Sequence, residues 1–149
     1  MAGNGVYQNF MKHLVIDPIS WTASDHDILL CLLGNTAPTS SHEKYTNLAG
    51  ELAETGNYTQ CTQQIAANLA AITVSTNTTY FPTATPYTST WSAATFDAYY
   101  VATCHGTAKN ANNALISYHN LTGPKSVASG TFTITWNSTG VLYSSVAEV

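Results

Sequence analysis

The plainest pattern in the chain lies near its end. From Ser129 to Tyr143 the sequence reads SGTFTITWNSTGVLY, with Phe132, Ile134 and Trp136 alternating with Thr131, Thr133 and Thr135. Such alternation predicts a strand with one buried face. FDAYYVATC, Phe96–Cys104, sets Phe96, Ala98, Tyr100 and Ala102 against Asp97, Tyr99, Val101 and Thr103, a second strand of the same kind. DILLCLL, Asp27–Leu33, is a continuous apolar run, as expected of a strand buried on both faces. Ala114–His119 gives a short strand. Val141–Tyr143 gives the last one, after a turn at Asn137-Ser138-Thr139-Gly140. Near the start, Val6, Phe10, Met11 and Leu14 fall at i, i+4, i+5 and i+8. That is the stripe of a short helix over Val6–Leu14, with Asn4 as candidate cap and Pro18 as stop.

Other stretches are less regular. Tyr45, Leu48 and Leu52 suggest a helical turn or two, and Gly56-Asn57 a turn. In Tyr58–Val74 the alanines and the spacing of Ile65, Leu69 and Ile72 favour helix. Pro82 and Pro86 exclude a central strand from Thr76–Thr90, which reads as a long surface loop. Gly106–Asn113 and Gly123-Pro124 also read as loops. Many short strands between turn signals predict a mainly β, single-domain β-sandwich or small barrel of short antiparallel strands with an N-terminal α-helix. Residues 1–17 form the helical arm and 18–149 the β-rich body. The expected core is Trp91, Phe96, Phe132, Ile134 and Trp136 with Leu29, Leu30 and Leu32.

Composition adds a surface. Only 8% of the 149 residues are charged, against a usual ~25%, and Thr, Ser and Asn fill the polar positions. Such a surface suits a protein that lies against other proteins, or equally an extracellular β-protein. The net charge is −4, and the four cations (Lys12, Lys44, Lys109 and Lys125) include no arginine. That argues against direct nucleic-acid binding. No stretch reaches the roughly 20 apolar residues of a membrane span, and the N-terminus lacks the pattern of a secretory signal. Cys31, Cys61 and Cys104 permit at most one internal disulfide. They read as small buried apolar residues of a protein made in a reducing cytosol.

Chemistry is hard to find. His13, His26, His42, His105 and His119 show no zinc-site spacing. A metal site from Cys61, Cys104 and His119 would depend on the fold alone. Asp25-His26-Asp27 reads as a polar lead-in to the buried strand. No nucleophile elbow, P-loop or dinucleotide fingerprint is present. The expectation is therefore no enzyme, no cofactor and no metal. Phe81, Tyr87, Trp91, Tyr99 and Tyr100 are either a sugar-binding platform or, with Trp91 in the core, tyrosines at a protein interface.

Four segments add a resemblance. They are VYQNFMKHLVIDPISWTASDHDILLCLL, HEKYTNLAGELAETGNY, TWSAATFDAYYV and GTFTITWNSTGVL. Together and in order they resemble small virion structural proteins of tailed bacteriophages, whose patterns include V-Y-x-x-F, T-W-S-x-x-T-F-x-A and G-x-F-T-I-x-W-x-x-x-G-[IV]-L. The chain departs from them at Thr59-Gln60-Cys61-Thr62-Gln63, where glycines are common, and at Tyr99, where arginine is common. The resemblance implies strands rather than helix in Tyr58–Val74. It implies a non-enzymatic capsid cement or decoration protein, made in the bacterial host cytoplasm and carried on the outer surface of the virion. Its partners would be the major capsid protein and itself, as a homotrimer, with no nucleic acid and no membrane. The alternatives are a tail or baseplate-associated structural protein, or a carbohydrate-binding β-sandwich module. The candidate interface residues are Val6, Tyr7, Phe10, Tyr80, Phe81, Tyr87 and Tyr99.

Overall fold

The computed structural model describes residues 3–15, 28–64, 73–75, 78–81, 88–106, 108–136 and 142–145. Pro18, Asp25-His26-Asp27, residues 65–72, Tyr87 and the turn at 137–140 lie outside them. In chain order the elements are β1 (Gly5–Val6), α1 (Gln8–Val15), β2 (Ile28–Leu33), a 3-10 turn (Tyr45–Asn47), β3 (Gln63–Gln64), β4 (Thr73–Ser75), β5 (Thr78–Phe81), β6 (Thr88–His105), β7 (Leu115–Thr135) and β8 (Leu142–Ser145). The chain is mainly β, as its patterns predict, with one α-helix among the described residues. The described pairings make an open five-stranded sheet in the order β1-β7-β6-β2-β3 and a three-stranded sheet in the order β4-β5-β8. All pairs are antiparallel.

Several boundaries differ from expectation, each for a local reason. Two strands are long rather than short: β6 has 18 residues and β7 has 21. They stay paired across apparent loop signals by bulging. Ala98 pairs with Lys125 and Tyr100 with Asn120, so residues 121–124, Gly123-Pro124 among them, bulge opposite Tyr99 alone. The expected loop Thr76–Thr90 contains β5 and the start of β6, because its prolines fall between the β-branched stretches. β8 does not fold back on β7; it pairs with β5. Val6 is not helical. It pairs with Ser117 in β1, and Asn4 accepts the Asn120 amide at 2.8 Å instead of capping α1.

β2 organises the packing. All six of its residues are buried, so apolar groups cover both faces of the sheet there. Leu30, Leu32 and Ile28 join Phe10, Tyr58, Trp91, Ala94, Ala98, Val101, Ile116 and Phe132 in one cluster, with Phe96, Ile134 and Trp136 packed at its margin. Leu29, expected in that cluster, points to the other face. There it lies with Cys31, Leu33, Tyr7, Cys61, Tyr100, Ala102, Cys104 and Leu115. The strict alternation read in Phe96–Cys104 also shifts phase. The register irregularity between Ala98 and Tyr100 puts Ala98 and Val101 on one face and Tyr100 and Ala102 on the other. A second irregularity, between Trp91 and Ala94, keeps both of those residues in the first cluster.

Beyond its short pairing with β3, the second edge of β2 is closed by other backbone and by one side chain. Leu52 N–H donates to Leu32 O at 2.9 Å, and the Leu32 amide donates to the Tyr58 hydroxyl at 3.1 Å. This meets the rule that buried backbone groups find partners. Tyr58 is held by the tight turn Thr55–Tyr58, where Gly56 has φ +57 and a side chain would meet the Ala93 carbonyl at 2.1 Å. Only glycine fits that approach.

Trp91 is 1% exposed, whereas Trp136 is only partly buried. Trp91→Ala should cost about 3–5 kcal/mol in chemical denaturation, the usual loss for a buried large aromatic. Trp136→Ala should cost clearly less. Equal losses would mean that Trp136 carries as much of the core as Trp91.

Candidate functional site

All three cysteines of the chain meet on the second face of the sheet. Cys31 comes from β2, Cys104 from the end of β6, and Cys61 from the turn that leads into β3. Cys61 Sγ lies 3.0 Å from Cys104 Sγ, and Cys31 Sγ lies 4.0 Å from it. The three sulfurs lie within 4.8 Å of one another, and all three residues are fully buried. The β2–β6 register sets two of them side by side, because Cys31 pairs with Ala102, two residues from Cys104. Cys61 reaches the pair with a left-handed backbone, φ 49.

The sequence offered Cys61 and Cys104 with His119 as a metal set that only the fold could assemble. The structure keeps the two cysteines together but replaces the histidine with Cys31. His119 belongs to the opposite face. It bonds the Ser117 hydroxyl at 3.1 Å and stands edge-on to Trp136 at 5.3 Å between ring centroids. Ser117 in turn shares a 2.7 Å hydrogen bond with Thr103. Burial holds His119 below the ordinary histidine range. Reading the cysteines as small buried residues was correct. Their convergence was not legible, because it depends on a register that pairs Cys31 with Ala102, 71 residues later.

A polar rim adjoins the cluster. Tyr45 and Tyr58 both donate to the Glu51 carboxylate, Tyr58 at 3.2 Å to Oε1 and Tyr45 to Oε2. Burial raises Glu51 above the usual carboxylate range, while its two tyrosine hydrogen bonds pull the other way. Both tyrosines are raised as well, first by burial and then by their interactions with that carboxylate. Lys109 donates to Gln60 Oε1 at 2.7 Å and lies 5.6 Å from the Tyr45 ring centroid. Within the thiol set, hydrogen bonds from Cys31 and Cys61 favour the ionised form at Cys104, and Asn113 adds another. Burial pushes Cys31 up, and the bond to Cys104 pushes Cys61 up.

The candidate interface residues are scattered. Tyr7 and Phe10 are 0% and 1% exposed, so both fill the chain's own core and present no docking surface. The sequence missed this because an apolar stripe looks alike whether its cover is this chain or another. Val6 is 36% exposed on edge strand β1, and Tyr99 is half-buried against the second cluster. Tyr80 and Phe81 lie on β5, and Tyr87 lies outside the described residues. Among the described residues no helix is long and apolar enough to cross a membrane. No protein-family model, curated protein or solved structure matches the chain.

Glu51 gives a pH test. Its folded pKa is raised above the ordinary 4.5. The folded state therefore holds a proton that the unfolded chain has released. That contribution to stability is complete below pH 4.5 and is lost as pH rises through the raised value. Glu51→Gln should remove this component. Stability measured from pH 4.5 to 7 should fall less steeply in the variant than in the wild type; parallel profiles would contradict the assignment.

Proposed function

We propose that the chain is a capsid cement or decoration protein of a tailed bacteriophage. It is synthesised in the host cytoplasm, binds the outer surface of the head as a homotrimer, and bridges neighbouring major capsid proteins. The ordered motifs that resemble virion structural proteins favour this reading. The observation that carries it is the outer face of the long β6–β7 pair. Thr88, Thr90, Ser92, Thr95, Thr131, Thr133 and Thr135 are exposed there. Thr88 and Thr135 face each other with hydroxyls 3.5 Å apart, and Thr90 and Thr133 at 3.4 Å.

Across both strands the only carboxylate is Asp97 and the only ammonium Lys125. A lone soluble protein normally disperses itself with charge. A β-branched, uncharged face can instead be covered by another protein without the desolvation cost of a charge. A stable contact of this kind needs on the order of 1,200–2,000 Å², and the threonine-bearing ends of the two strands supply part of such a surface. The carbohydrate-binding reading is weakened, because Trp91, its main platform, is buried beneath this face rather than on it.

The test is binding of the purified protein to heads that lack it, with isolated tails and polysaccharide as competitors. Placing charge on the face, in the double variant Thr90→Lys/Thr133→Lys, should lower head affinity at least about 10-fold, since an unpaired buried charge is costly. Single Thr→Ala changes should matter little. Phe81→Ala and Tyr87→Ala should cost about 30-fold each if these aromatics anchor the contact as hot spots do. Binding to tails alone would move the protein to the tail or baseplate. Binding to polysaccharide alone would restore the carbohydrate reading.

A further inference from the structure

We propose that Cys31, Cys61 and Cys104 form a buried site for one soft, thiolate-preferring metal ion of the zinc class, which ties β2, the turn before β3 and the end of β6 together. The proposal is independent of the virion reading.

Three observations carry it. First, the chain has three cysteines, and all of them meet. They come from elements separated by 30, 43 and 73 residues (31 to 61, 61 to 104, and 31 to 104). Thiols scattered as ordinary small core residues have no reason to share one point. Second, the spacing suits a single ion. Metal–sulfur distances of ~2.3 Å imply sulfurs about 3.8–4.0 Å apart in tetrahedral or trigonal coordination. The observed separations, 3.0 and 4.0 Å from Cys104 and none above 4.8 Å, bracket that value. Third, Cys61 adopts a left-handed backbone (φ 49) that a non-glycine residue rarely takes. Such strain persists where the surroundings fix it, and it collects at functional sites. Here it turns the third sulfur inward.

The surroundings fit the charge. Three thiolates around a divalent ion leave one net negative charge. Lys109, held by Gln60 next to Cys61 in sequence, is a neighbouring cation. Asn113, anchored by donating to Ala108 O at 2.8 Å, is a neighbouring polar group of Cys104. All three cysteines are inaccessible to solvent, and three sulfurs leave the fourth tetrahedral position of the ion to a non-cysteine ligand. The all-sulfur set selects soft ions over Mg²⁺ or Ca²⁺. On binding, each Sγ–H loses its proton to water and each sulfur donates a lone pair, so one ion releases the protons of whichever thiols were neutral.

The test uses the reduced, metal-free full chain. Titration with Co²⁺ should give thiolate-to-cobalt charge-transfer absorption that saturates at one equivalent and is bleached by Zn²⁺. Native mass spectrometry should show one zinc per chain, and Zn²⁺ should raise the melting temperature. Cys61→Ser, Cys31→Ser and Cys104→Ser should each weaken Co²⁺ binding by more than the ~10–100-fold that loss of an outer-shell partner costs. If a core variant does not fold, the wild type still decides, because bound Zn²⁺ should protect all three thiols from alkylation. Absence of the cobalt band, with alkylation unaffected by Zn²⁺, would overturn the proposal. So would a purified chain two hydrogens lighter with Cys61 and Cys104 joined as a disulfide.

Discussion

The pairing of β2 with β6 is the constraint on which the rest of the structure depends. Six consecutive residue pairs, Ile28↔His105 through Leu33↔Tyr100, fix one register. Because side chains alternate with period two, a slip by one residue would exchange the two faces. Cys31 would leave Cys104, and Leu30 and Leu32 would leave Trp91 and Phe132. Both faces are apolar, so hydrophobicity alone does not choose between them. The choice falls to shape and to the groups that close the β2 edge, including the Tyr58 hydroxyl on the Leu32 amide. That same hydroxyl donates to Glu51, so the edge of the sheet and the rim of the cysteine cluster are held by one side chain.

The sequence showed much of this fold and little of the site. Strand β2 was plain because ILLCLL has no polar residue to leave exposed. The closing strand was plain because threonine and large apolar residues alternate without interruption. The phase shifts in β6 were not legible. A bulge leaves no mark in hydrophobic periodicity when small residues such as Ala93, Ala94 and Ala98 can face either way. The two-sheet pairing was not legible either, since the residues that join β8 to β5 carry no signal for which partner they will choose. Glu51 was overlooked for a related reason: a single carboxylate in a loop becomes distinctive only when Tyr45 and Tyr58 are brought to it.

The two faces of the long β6–β7 pair divide its tasks. The inner face places Trp91, Phe96 and Phe132 in contact, with ring centroids 5.1–5.8 Å apart along the series, in the edge-on and tilted geometries that aromatic rings prefer. The outer face carries hydroxyls and methyls and almost no charge. Rigidity on one side makes the other a preorganised surface, which lowers the ordering cost of any association. The cysteine cluster sits at the opposite end of β6 from Thr88, so what ties the sheet there leaves the threonine face untouched.

The β2–β6 register also dictates an order of events during synthesis. β6 and β7 are joined by a short connection and can zip as a hairpin as soon as both have emerged. β2 must wait for a partner that ends 72 residues after it (Leu33 to His105). Until then one whole edge of a six-residue, uncharged, β-prone run is unpaired, which is the composition most apt to join other chains. Pairings this distant in sequence form slowly. The chain therefore has its greatest exposure to misassembly not in the finished molecule but in the interval before residue 105 leaves the ribosome.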